Sequence, residues 1–320
     1  MLIMRASAAV RPRSAPREKA GVFFFSLSVF LFFSFCSSLS PELALSSPSA
    51  MRIVFLLLAV AGLVLPWYCN LQWAPFALLN ERLIAGDFSA YFWGFVEVFP
   101  VFFRDALEEG GLAKLATWLL FGSNVVFAAT LITERKQAVW VPFLFLGNFV
   151  AIAHSMPLFF FLQSSEKKTS SVPVAASAFD TFLVLLFAAS SLALGFFFTQ
   201  PLFFGSYCGG LVMFLFLGPR GGKLFPGWFW ALLTLAGVGQ TACLGMTAYL
   251  SGVAIPVSWN SWSLLWDAVI VWLSLIAKLV YEKQYPLALL AVPAPLLAFP
   301  IFMLGANKGA AVVQKRRKKE

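Results

Sequence analysis

Runs of about twenty apolar residues, nearly free of charge, recur along this chain and set the class of fold open to it. A hydrocarbon core of about 30 Å needs an α-helix of that length. With 60% hydrophobic, 17% aromatic and 12% charged residues in 320, the chain carries more apolar surface than a soluble fold could hide. It reads as an all-α, polytopic transmembrane helix bundle. Spans are predicted at 52–67, 113–133, 139–162, 173–198, 201–218, 225–250, 262–281 and 286–305. That makes about eight, or seven if 173–218 holds one span and a re-entrant piece.

Residues 1–50 begin with Arg5, Arg11, Arg13, Arg17 and Lys19, pass through VFFFSLSVFLFFSFC and end in SSLSPELALSSPSA. A basic start, an apolar core and a small polar stretch are the order of a targeting or signal segment. The arginine-rich, acid-poor start suits organelle import, so an organellar membrane (plastid or mitochondrion) is expected, with a secretory-pathway membrane as the alternative. Residues 51–168 then form a first membrane unit, 169–223 connecting spans, 224–307 a second unit and 308–320 a basic tail ending QKRRKKE. Within the first unit, 84–104 is an aromatic stretch broken by Glu97 and Pro100, expected to lie along the membrane interface.

The formal net charge of +9 is concentrated at the two ends, beside apolar runs. That placement fits positive-inside anchoring, and no basic and aromatic interleaving outside the membrane supports a nucleic-acid partner. Cys36, Cys69, Cys208 and Cys243 are scattered, His154 is the lone histidine, and nucleotide-binding glycine motifs are absent. No metal site and no cofactor are expected. The expected partners are the lipid bilayer, other membrane subunits or a bound lipophile.

Two stretches resemble each other: WLLFGSNVVFAATLITERKQ at 118–137 and LLWDAVIVWLSLIAKLVYEKQ at 264–284. Later spans also end alike, SMPLFFFL against AFPIFMLG, so a degenerate three-helix repeat is expected, the second copy inverted. MRIVFLLLAVAGLVLPWYCNLQ from Met51, the spacing from Asp267 to Glu282 and the late proline of MPLFFFL carry a family resemblance. The chain resembles a family of small bacterial and algal three-helix membrane proteins that contain a domain of unknown function, duplicated here. The resemblance implies that architecture and no catalytic residue. Leu119 stands where the first copy would need the aspartate.

The polar residues inside apolar runs are the candidate site. Ser263, Asp267, Ser274, Lys278 and Glu282 share one drifting helical face, which should turn toward protein or water because charge facing lipid is costly. Asp267 lies one turn inside a tryptophan-rich entrance, where interfacial water could reach it, and Lys278 and Glu282 are spaced to pair. Asp180, His154, Asn148, Asn124 and Gln240 are the groups that could oppose this face. Gly205 and Gly209 form a GxxxG suited to close helix packing.

The leading functional reading is a non-catalytic accessory or structural subunit of an organellar membrane. One alternative is a small transporter or channel with a midplane polar site built from those side chains. Another is a membrane-embedded enzyme on a lipophilic, terpenoid-like substrate. LLWDAVIVW resembles the membrane-embedded terpene cyclases, which implies Asp267 or Asp180 as an acid in an apolar pocket.

Overall fold

The computed structural model describes residues 48–134, 137–165, 174–206 and 223–291. Nearly all of the expected targeting segment, the basic tail, Gly209 and the distal parts of the spans expected at 201–218 and 286–305 lie outside the described residues. The helices are α1 (Pro48–Gln72), α2 (Ala74–Ile84), α3 (Phe88–Glu109), α4 (Gly111–Glu134), α5 (Gln137–Phe149), α6 (Ile152–Ser165), α7 (Ala178–Ala193), α8 (Gly227–Ser251), α9 (Trp259–Tyr281) and α10 (Tyr285–Ala291). A helical stretch also covers 200–206, and a two-residue parallel pairing joins Val174–Ala175 to Lys223–Leu224.

Four of the described helices are long and apolar enough to cross a membrane: Ser49–Gln72, Gly111–Thr133, Gly227–Leu250 and Trp259–Tyr281. The all-helical class therefore holds, whereas eight spans and the three-helix repeat are not confirmed. Burial ranks the four. The most apolar window is 100% buried in α4, 67% in α9, 39% in α1 and 33% in α8, so α4 is the central rod and α1 and α8 are peripheral. α1 turns Ile53, Leu57, Val60 and Val64 outward, and α8 turns out Trp228, Leu235, Met246 and Tyr249. Apolar faces of that extent fit contact with a lipid bilayer.

Around α4 stand α3, α5, α7, α8 and α9, and α9 in turn packs on α1, α3 and α6. The stretch 84–104, expected along the interface, is mostly α3. It packs against α4 and α9, burying Val98, Phe102, Phe103 and Ala106 while Phe92 and Trp93 stay exposed. Its aromatic face is thus an internal wall.

The span expected at 139–162 is two helices folded back on each other. Phe143 and Phe159 have ring centroids 5.5 Å apart, where an unbroken helix would separate residues sixteen apart by about 24 Å. The break lies at Val150 and Ala151, whose backbone N–H groups both donate to the Leu146 carbonyl, at 2.9 and 3.1 Å. Hydrophobic periodicity is blind to such a fold-back, because both arms are as apolar as a continuous span. Proline placement favours it: Pro142 and Pro157 each remove a helical donor from an arm.

The tip of this hairpin is held against the middle of α1. Pro157 deprives the Ala153 carbonyl of its usual helical donor, and a Cβ on residue 62 would overlap that carbonyl oxygen. Gly62 is therefore what lets the two backbones touch. Beside it, His154 Nδ1 lies 2.9 Å from the Ala59 carbonyl oxygen, which can only accept, so Nδ1 carries the proton. Pro66, four residues beyond Gly62, frees the Gly62 carbonyl and relaxes α1 at the same level.

α7 was expected within a span of 173–198 but is a helix of 16 residues, about 24 Å long. It starts sharply because Ser177 and Asp180 form a reciprocal capping box.

Replacing Gly62 by Ala should force α1 and α6 apart and cost about 1–3 kcal/mol. Gly239→Ala, on the open side of α8 where an added Cβ meets nothing within 4 Å, should leave stability unchanged or slightly raised. Thermal unfolding of the two variants in one detergent separates these outcomes; equal melting shifts would remove the seam from the account.

Candidate functional site

Between α1, α3, α4, α9, the hairpin turn and the 200–206 stretch lies a cavity of about 510 Å³. One wall is an aromatic ladder on α3. Tyr91, Phe95 and Phe99 recur every four residues and so share a face. Tyr91 and Phe95 stack at 6.3 Å, Phe95 and Phe99 at 5.0 Å with planes 20° apart, and Phe103 meets Phe99 edge-on at 5.4 Å. Opposite, Gly147, Val150, Ala151 and Ile152 bring the hairpin turn to the cavity. Its non-helical backbone is thus enclosed by protein, the setting in which a membrane tolerates it.

Asp267 enters this aromatic space from α9. Because α9 begins at Trp259, the aspartate lies about 12 Å inside the helix and close to its middle, deeper than the entrance position expected from the sequence. Its Oδ1 is enclosed and has no hydrogen-bond partner. One turn earlier Ser263 is fully buried with an unpartnered Oγ. α1 brings Trp67 Nε1 and Asn70 Oδ1 to the same cavity, also enclosed and without partners. Buried polar atoms are ordinarily paired, so unpaired ones converging on one cavity mark a site rather than a packing detail.

The sequence-derived candidates divide. Asp267 and Asn124 both line the cavity. Asp180 does not: its Oδ2 accepts from the Ser177 N–H at 2.8 Å, and its role is the α7 cap. His154 is spent on the α1 seam. Gln240 donates to the Trp118 carbonyl at 2.6 Å and lies over Gly122, tying α8 to α4. The side chain of Asn148 lies outside the described residues, although its helix ends at the cavity. Among the described residues a Cβ at Gly205 would meet nothing within 4 Å, so no close helix approach is made there. Asp180 and His154 are thus engaged away from the cavity that Asp267 lines. Trp67 and Asn70 were not anticipated; Asn70 in LPWYCNLQ was the available signal, an amide late in an otherwise apolar run.

Two polar braces fix α9 and so position Asp267. At its start Glu109, the last residue of α3, accepts from the Val257 N–H and from the hydroxyls of Ser258 and Ser261, the last at 2.6 Å. Asn260 Nδ2 donates to the Phe102 carbonyl at 2.9 Å. At its far end Lys278, spaced to pair with Glu282, is 3% exposed; its ammonium donates to Gln163 Oε1 at 2.6 Å, pairs with Glu282 at 3.0 Å and faces the Phe160 ring. Burial with three such contacts holds it inside, because a cation so placed cannot leave its partners unpaired without cost.

Glu109→Ala removes the shared acceptor of three donors and should destabilise the protein by about 1–3 kcal/mol. Glu109→Gln, which keeps a carbonyl oxygen, should lose clearly less; thermal melts of both variants check the order. No protein-family model, curated protein or solved structure matches the chain.

Proposed function

We propose that this is a multi-pass membrane protein whose central cavity receives a small lipophilic molecule, with Asp267 as its polar contact. The observation that carries the reading is the unpartnered Oδ1 of Asp267 inside an aromatic cavity of about 510 Å³. A pocket of mostly apolar lining with a few convergent polar groups is the usual form of a small-molecule site. Among the sequence readings this departs from the accessory subunit and lies nearest to the lipophile enzyme, since an enclosed carboxyl can exchange a proton with a bound ligand. The enzyme reading needs a second acid or base in reach, and among the described lining residues Asp267 stands as the lone ionisable carboxyl.

The organisation proposed around the cavity is the duplicated three-helix unit of the family resemblance. In its support, α4 and α9, which carry the matching runs, pack on each other. The proposed compartment is an organellar membrane, resting on the basic run from Arg5 to Lys19. The accessory-subunit reading keeps one supporting observation, the outward apolar faces of α1 and α8, which suit partner helices as well as lipid.

Native mass spectrometry of the protein drawn from its own membrane in mild detergent tests the proposal. A discrete lipophile retained by the wild type and lost on filling the cavity with Leu120→Trp is the expected outcome. A reproducible heavy assembly with fixed protein partners and no retained small molecule would replace this reading with the accessory subunit.

A further inference from the structure

The unpartnered atoms of the cavity define the charge of its ligand. Two are oxygens, Asn70 Oδ1 on α1, which accepts, and Asp267 Oδ1 on α9, which accepts when its carboxyl is ionised, and both are enclosed. A neutral hydrocarbon would leave them bare, and an anion would oppose the carboxylate. Among the described residues that line the cavity there is no lysine, arginine or histidine, so none of them supplies a counter-charge to Asp267. Elsewhere on α9 the protein treats a buried charge differently, giving Lys278 a carboxylate, an amide oxygen and aromatic faces.

The rest of the lining is chosen for the same kind of guest. Tyr91, Phe95, Phe99 and Phe102 present π systems, whose electron-rich faces attract organic cations, most strongly where water is excluded. Hydrogen bonds from a cationic donor to a carboxylate are also the stronger class. We propose that the cavity binds a lipophilic amine in its ammonium form, its N–H groups donating to Asp267 and Asn70 and its apolar body lying along the α3 ladder. This assignment rests on the lipophile-cavity reading and narrows it to one ligand class. The polar lining also includes Tyr91, Asn124 and Trp67; the enclosed Trp67 Nε1 is a donor, which suits a second, accepting group on the same ligand.

The test compares two probes of one shape, 1-adamantylamine, protonated at neutral pH, and 1-adamantanol, which is neutral. Binding to the full chain in nanodiscs is measured by equilibrium dialysis against empty nanodiscs. The amine is expected to bind at least about tenfold more tightly than the alcohol, with Asp267→Asn removing that preference and Asp267→Glu keeping it. Asn70→Leu should weaken the amine alone, and it reads the same contact should Asp267→Asn not fold. Equal binding of both probes, or amine binding indifferent to Asp267→Asn and Asn70→Leu, overturns the cationic ligand while leaving a lipophile cavity in place. Retention of neither probe above empty nanodiscs overturns the cavity reading itself.

Discussion

A helix break packed among other helices leaves peptide groups without helical partners, and this architecture depends on how one such break is covered. The turn at Val150 and Ala151 is closed on itself by the Leu146 carbonyl and pressed against α1 at Gly62. α1 can serve as the cover because residue 62 has no side chain and because Ala59 offers a carbonyl to His154. The same turn that needs covering is one wall of the cavity. Fold and site therefore share a single structural cause.

The second determinant is the complete burial of α4. A rod surrounded by helices must satisfy its own polar side chains, and it does so internally: the hydroxyls of Thr117, Ser123 and Thr130 donate to carbonyls one turn back, each at 2.8 Å. Its contacts with other helices are mainly of shape, with the Gln240 bond to the Trp118 carbonyl as a polar exception. α9 is built the other way, with polar braces at both ends and an unbraced aspartate between them. Along the polar stripe of α9, Ser263, Ser274 and Lys278 are buried, whereas Glu282 at the helix end is exposed.

Long, unbroken apolar runs were legible in the sequence: α1, α4, α8 and α9 fall within a few residues of the spans at 52–67, 113–133, 225–250 and 262–281. Length and hydropathy decide such elements locally. What failed was anything that depends on where a helix goes next. Residues 139–162 satisfy the span criterion yet fold back, since the arms pair with each other through Phe143 and Phe159, a contact no period encodes. Asp180 is a buried acid, and Ser177 three residues earlier is a capping signature that accounts for its place. Asp267 was visible as an isolated charge in an apolar helix. Its surroundings were not, because the ladder on α3 becomes a wall only through the packing of that helix against α4 and α9.

The Glu109 cluster has a mechanical side. It welds the last residue of the aromatic wall to the first turn of the helix that bears Asp267, and Asn260 adds a second weld two turns back along α3, at Phe102. A rigid joint of this kind makes α3 and α9 two arms of one lever. The ladder and the Asp267 side chain are thereby held to one another, so a tilt of α3 is passed on to α9.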